Sequence, residues 1–298
     1  MPSQSSHTVT LIAKPGSAAL TKEIALRCSA AIEARSIDWL SNDQALDLEI
    51  EAHLEGLEKK LKPFIGALPI DIAIQASAIE RRKKILIADM DSTMIRQECI
   101  DELAAEAGIK DHIASITARA MNGEIEFEAA LEERVALLEG LSTNVIDQVI
   151  ATRIELMPGG LELVRTMRKN GAYCALVSGG FTEFTSRIGE MIGFQENRAN
   201  TLLHSGGKLT GKVGMPILGK QAKVDALCEI AIKLGLTPQE AIAVGDGSND
   251  LGMLELAGTG VALHAKPAVA AQADIRIDHG DLTSLLYIQG YKANEISN

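Results

Sequence analysis

Two aspartates at a spacing of two, Asp89 and Asp91, close the apolar run Ile85-Leu86-Ile87-Ala88. A short, wholly apolar run behind the basic cluster Arg81, Arg82, Lys83 and Lys84 predicts a strand buried on both faces of a parallel sheet. Ligands of open α/β sheets sit beyond the carboxyl ends of the strands, so both carboxylates are expected in the crevice where chemistry is done. Two anions on one side of the chain repel unless a cation neutralises them. Hard oxygen donors point to a divalent ion, Mg²⁺ before others. A calcium loop is excluded, because the position that needs Gly holds Met94 and the position that needs Glu holds Ile100. An aspartate pair after an apolar run also serves as a loop start or a helix cap, so the rest of the chain must decide.

Three more signals follow. Ser178-Gly179-Gly180 stands behind Ala175-Leu176-Val177, Lys223 falls in a helical stretch, and Gly245-Asp246-Gly247-Ser248-Asn249-Asp250 stands behind Ala243-Val244. Singly, these are a Ser-Gly-Gly turn, a surface lysine and a glycine-rich turn. Together they are the parts of a phosphate site. Ser178 and the adjoining backbone N–H groups could cradle phosphoryl oxygens at a helix N-terminus, Lys223 could add a point charge, and Asp246 could complete the oxygen ligands of a metal.

The elements that must position these residues form two patterns. In residues 1–82, strands are predicted at Thr8–Ala13, Ile37–Trp39, Ala45–Ile50 and Ile70–Ile74, with helices at Thr21–Ala34 and Leu54–Leu68. This βαββαβ order is the ferredoxin-like split motif, similar to small ACT-type regulatory domains that bind amino acids or pair with a second copy. The Lys14-Pro15-Gly16-Ser17 turn is either a ligand contact or a plain strand-to-helix turn. Arg81 to Lys84 reads as a charged linker, solvated or lying beside the acidic residues. From residue 83 to 298, strand and helix alternate, with strands at Ala172–Val177, Ala241–Val244, Gly260–Leu263 and Ile275–Ile277, which predicts a Rossmann-like, doubly wound α/β core. The stretch after the first strand is far longer than a crossover needs. Glu98–Ala107, Asp111–Met121, Phe127–Glu139 and Asn144–Ile154 read as amphipathic helices. They make a helical cap at about 97–158, which excludes water and selects substrate. Leu202 to Met215 reads as a hairpin turning at Ser205-Gly206-Gly207-Lys208.

At 298 residues with 46% apolar and 23% charged side chains, the composition is that of a globular protein with room for about two domains. A net charge of −11 and 3% aromatic residues argue against nucleic acid as a partner. The most apolar long window, Ile65 to Ile79, contains Pro69 and Asp71 and cannot span a membrane. No N-terminal segment joins a basic region to an apolar one as an export signal does, so a cytoplasmic protein is expected. Cys28, Cys99, Cys174 and Cys228 show no metal or disulfide spacing. Cys99, close to the aspartate pair, is expected to fill space rather than to act as a nucleophile. His264 reads as structural, with Lys266-Pro267 ordering its loop.

Asp89 to Thr93 as Asp-x-Asp-x-Thr, Ser178, Lys223 and Gly245 to Asp250 as Gly-Asp-x-x-x-Asp resemble the motifs of the haloacid dehalogenase (HAD) superfamily of phosphotransferases. The similarity is greatest to its phosphoserine phosphatase group, across roughly residues 83–298. It rests on Glu98, on Phe127 with Arg134, on Ser178-Gly179-Gly180-Phe181, on the Gly-Asp-Gly-x-Asn-Asp form and on His264-Ala265-Lys266-Pro267. The resemblance implies a C1-type helical cap and a two-step phosphoryl transfer through an aspartyl phosphate. Asp89 would be the nucleophile and Asp91 the general acid and base. Mg²⁺ would be held by Asp89, the backbone carbonyl of Asp91 and Asp246, with Asp250 supporting the metal shell and Asn249 bonding to the phosphate; Gly179 would join Ser178 and Lys223 there. O-phospho-L-serine, the substrate it implies, carries an ammonium that Glu98 could pair and a carboxylate that Arg134 could fork onto. Phe127 lies seven residues before Arg134 and so shares its helix face, although Glu132 and Glu133 leave an ordinary helix salt bridge open. Two rivals stand beside this expectation: a phosphatase for another small phosphomonoester, and an amino-acid-sensing protein with a vestigial site. A homodimer through the N-terminal domain is a further expectation.

Overall fold

The computed structural model describes residues 6–51, 56–121 and 124–297. The chain begins with β1 (Ser6–Ala13), α1 (Lys22–Ala31), β2 (Ser36–Ser41), β3 (Ala45–Glu51), α2 (Leu57–Ile65) and β4 (Ile70–Ala76). The four strands form one antiparallel sheet in the order β2-β3-β1-β4, the ferredoxin-like arrangement the sequence predicts. Strand alternation explains its core: Val9, Leu11, Leu46, Leu48, Ile70, Ile72 and Ile74 cover one face together with Cys28, Leu57 and Leu61. Thr21 starts α1 by accepting the Ile24 N–H at 3.2 Å. The predicted start of the second helix at Leu54 lies outside the described residues.

The rest comprises β5 (Ile85–Ala88), α3 (Cys99–Ala107), α4 (Lys110–Met121), α5 (Phe127–Ala136), α6 (Asn144–Thr152), α7 (Gly160–Lys169), β6 (Tyr173–Phe181), α8 (Thr182–Ile192), β7 (Glu196–Asn200), β8 (Leu202–Ser205), β9 (Lys208–Val213), α9 (Lys220–Leu234), β10 (Ala241–Gly245), α10 (Leu251–Leu256), β11 (Thr259–Leu263), α11 (Pro267–Ala270), β12 (Ile275–Ile277) and α12 (Ser284–Ile288). β10, β11 and β12 run parallel in the order β12-β11-β10, β6 pairs in parallel with β7, and β8 and β9 form an antiparallel hairpin. All four residues of β5 are buried, as are all of β10 and β11, which accounts for their continuous apolar runs.

Two compact units emerge. One comprises Met1–Leu86, Pro158–Tyr173 and Gln239–Asn298, the other Ile87–Met157 and Cys174–Pro238. In the first unit, the second face of the antiparallel sheet is buried although it is polar. Asp71 on β4 accepts the backbone N–H groups of Asp278, His279 and Gly280 at 2.7 to 3.2 Å. Arg81 bonds Asp47 at 2.6 Å, Thr10 at 3.1 Å and the carbonyls of Tyr287 and Ile288 at 3.1 and 3.0 Å. In the charged run before β5, Arg81 and Lys83 are thus held inside the first unit, while Arg82 and Lys84 stay exposed as a solvated linker would be. Lys83 is 6% exposed and donates to the Gln239 carbonyl, while Arg82 and Lys84 pair with Glu295 and Glu240.

In the second unit, α3 packs on α4 and α6, and α4 on α5. The hairpin β8–β9 packs on α5, and residues 140 to 142 pair with β9 through Gly140 and Leu209. Four helices stand where the cap is predicted. Two of them end sooner than predicted, at Ala136 and Thr152 rather than Glu139 and Ile154, as do α1 at Ala31 rather than Ala34 and α2 at Ile65 rather than Leu68.

Candidate active site

The aspartate pair directly follows β5. Asp89 is 5% exposed, its Oδ1 accepts the Met90 N–H at 2.8 Å, and the same oxygen meets Lys223 Nζ at 2.7 Å. Lys223 is 2% exposed, projecting from the first turns of α9. A buried lysine needs an anion, and this one has the carboxylate that the sequence marks as the nucleophile.

Asp91 keeps some accessible surface yet lies deep among protein atoms. This desolvation pushes its carboxyl above the usual range, while the Cys99 thiol and N–H, Lys223 and the Ser178 hydroxyl pull it back. The Cys99 N–H reaches Asp91 Oδ1 at 3.0 Å and Ser178 Oγ reaches Oδ2 at 3.4 Å. Burial, then the neighbouring Asp91, raise the Cys99 thiol well above its ordinary value, which favours the thiol over the nucleophilic thiolate.

Ser178-Gly179-Gly180 is the last part of strand β6, not the turn at a helix N-terminus that the sequence suggests. β6 pairs with β7 as far as Val177, bulges, and resumes at Phe181 opposite Asn200. α8 begins only at Thr182. Within the bulge, Ser178 Oγ accepts the Gly180 N–H at 2.9 Å. A β-carbon on Gly180 would stand 2.6 Å from Asp91 Oδ2, so only glycine lets the strand approach that carboxylate.

Glu98 caps α3 at its N-terminal boundary and accepts from Ser92 Oγ at 2.8 Å. Arg134 bonds the Ala130 carbonyl at 3.1 Å and Thr117 Oγ1 at 3.4 Å. Burial lowers its guanidinium, which Asp101, Glu98 and Asp91 then hold up. Glu133 pairs with Arg119 rather than with Arg134. The Phe127 ring lies against two glycines, its Cζ 3.3 Å from a β-carbon built on Gly179 and its Cδ1 3.6 Å from one built on Gly219. Ser92, Thr117 and Asn200, which order these groups, carry no sequence motif.

After β10, Asp250 is fully buried and its Oδ2 accepts the N–H groups of Asp246 and Gly247 at 3.2 and 2.9 Å, which shapes the loop. Asn249 Oδ1 lies 2.3 Å from where a β-carbon on Gly247 would stand. Asp89 after β5 in one unit, and Asp246 and Asp250 after β10 in the other, are hard anionic donors of the kind a small divalent cation such as Mg²⁺ takes.

A parallel α/β sheet, an inserted group of helices and an Asp–Lys pair at a strand end define an enzyme of the α/β hydrolytic type. Residues 86–255 match the family of haloacid dehalogenase-like hydrolases. The chain is 40% identical to the phosphoserine phosphatase of Streptomyces coelicolor over 243 residues, 81% of this chain and 59% of that protein, so it spans under two thirds of that relative. It is 33% identical to the phosphoserine phosphatase of Saccharomyces cerevisiae over 297 residues, covering 98% of this chain and 94% of the other. A crystal structure of a HAD family hydrolase from Salmonella enterica serovar Typhi aligns at TM-score 0.84 and 30% identity, over 96% of this chain and 98% of that one. The chain belongs to the haloacid dehalogenase-like hydrolases and, within them, to the phosphoserine phosphatase family. No helix among the described residues is long and apolar enough to cross a membrane.

Proposed function

We propose that this protein hydrolyses O-phospho-L-serine to L-serine and phosphate, as the last step of serine biosynthesis in the cytoplasm. The observation that carries the reading is the buried Lys223–Asp89 pair at 2.7 Å beside Asp91 and Ser178. Lys223 keeps Asp89 ionised and restrains its aim. An Asp89 oxygen attacks phosphorus in line, the bond from phosphorus to the serine oxygen breaks, and Asp91 gives that oxygen a proton. Water then attacks the aspartyl phosphate, Asp91 takes the water's proton, and Asp89 is restored. The raised carboxyl of Asp91 suits a group that must first give and then take a proton. Ser178, the amide at Gly179, Lys223 and Asn249 hold the phosphoryl oxygens. Asp89, the Asp91 carbonyl and Asp246 would hold Mg²⁺, with Asp250 supporting them. When bound, the ion offsets charge between carboxylates and phosphate.

Glu98 takes the substrate ammonium, Arg134 its carboxylate, and Phe127 covers it. Residues 97–158 act as the cap, and residues 1–82 as an ACT-like domain for regulation or pairing into a homodimer. The test is phosphate release, with and without Mg²⁺, from phosphoserine, phosphothreonine, a sugar phosphate and an aryl phosphate, with Asp89→Asn as control. Strong preference for phosphoserine that vanishes in the control is expected. Even activity across the panel would remove the substrate assignment, and no activity would favour a sensor.

A further inference from the structure

Asn200, the last residue of β7, is 2% exposed and spends its whole carboxamide on backbone. Its Nδ2 donates to the Gly179 carbonyl at 2.9 Å and to the Leu218 carbonyl at 3.3 Å, and its Oδ1 accepts the Leu218 N–H at 2.7 Å. One side chain thus ties together two stretches that have no backbone pairing with each other in the described structure. On one side is the Ser178-Gly179-Gly180 bulge. On the other, Leu218 directly precedes Gly219, which caps α9, and α9 carries Lys223 to Asp89.

The same two glycines flank the Phe127 ring. A β-carbon on Gly179 would stand 3.3 Å from its Cζ, and one on Gly219 would stand 3.6 Å from its Cδ1 and 2.9 Å from Glu128 Oε1. The ring rests where two backbones come close without side chains, and their spacing is what Asn200 holds. We infer that Asn200 is a positioning residue, which sets at once the aim of the Ser178 bulge, the start of the Lys223 helix and the seat of Phe127. No other residue type meets the same demands. Aspartate would turn a carboxylate on two carbonyl oxygens, and leucine would leave three buried backbone groups without partners.

The inference rests on the proposed phosphatase reading, and the experiment keeps the two apart. Kinetics on phosphoserine and an aryl phosphate, with inhibition by inorganic phosphate, are measured for wild type, Asn200→Ala, Asn200→Ser, Asn200→Asp and Thr185→Val. The temperature is kept well below every melting point, and folded content is checked by circular dichroism. Thr185 is fully buried and bonds Asn197 at 2.9 Å, so its variant loses a nearby buried hydrogen bond without touching either loop. The expected result for Asn200→Ala is a fall in kcat/KM on the order of 100-fold on both substrates, as small misplacements at a reacting centre produce, with phosphate inhibition weakened in step. Asn200→Asp should fall at least as far despite its similar shape, and Thr185→Val should match wild type. Combining Asn200→Ala with Phe127→Leu should cost less on phosphoserine than the two losses multiplied. If alanine prevents folding, the serine variant gives the same readout with less cavity. Wild-type kinetics in a folded Asn200 variant, or an equal loss in Thr185→Val, would overturn the inference alone. A wild type that neither releases phosphate nor is protected by it against melting would remove the reading and the inference together.

Discussion

Lys223 is 2% exposed and meets Asp89 at 2.7 Å, so Asp89→Asn keeps an oxygen for the Met90 N–H but takes the carboxylate away from a buried ammonium. In metal-free buffer it is expected to melt several degrees below wild type while releasing no phosphate; an unchanged or higher melting point would show that the lysine pairing adds no net stability. Added Mg²⁺ should raise the wild-type melting point and shift Asp89→Asn far less, because only a binder of the native state stabilises it. Arg134→Ala should weaken turnover of phosphoserine much more than that of an aryl phosphate, which has no carboxylate to hold; equal losses would end its assigned role. These residues were legible from type and spacing. Thr117 and Asn200 were not, because a hydroxyl or carboxamide that bonds to a side chain or backbone distant in sequence leaves no pattern in it; Ser92, six residues before Glu98, stands at an unassigned position of the aspartate motif.

Strands β5, β10 and β11 were legible because burial on both faces writes a continuous apolar run. β7, with the sequence Glu-Asn-Arg-Ala-Asn, was not, since an edge strand can carry polar side chains at most positions. The bulge that makes Ser178-Gly179-Gly180 part of a strand was also hidden, because a Ser-Gly-Gly stretch reads as a turn when its pairing partner is unrecognised. At the end of β10 the glycine is legible and its cause is not. A β-carbon on Gly245 would stand 2.3 Å from Asp250 Cγ and 2.6 Å from its Cβ. Gly245→Ala must therefore displace a fully buried aspartate that bonds two N–H groups of its own loop. A loss of about 1 to 3 kcal/mol is expected in urea denaturation, the usual cost of overpacking, together with lost Mg²⁺ protection. Unchanged stability would mean that the loop adjusts freely.

Across the first unit, the polar face of the antiparallel sheet is held by pairs far apart in sequence. Arg81→Ala would leave Asp47, whose side chain is 8% exposed, without its guanidinium, and about 3 kcal/mol of stability should be lost in chemical denaturation. Asp71→Ala would strip three successive backbone N–H groups, that of Gly280 buried, of their acceptor, with a loss of about 2 kcal/mol. Losses near zero in both would show that residues 6 to 76 are only loosely attached to their unit. The bonds from Asp71 to Gly280 and from Arg81 to Ile288 span 209 and 207 positions. Such closures are entropically slow and form late in folding. On the ribosome, strands β1 to β4 emerge long before residues 278 to 288 exist. The chain must therefore carry Asp71 and Arg81 without their final backbone partners until those residues are made, and a segment synthesised well before them is among the last to be finished.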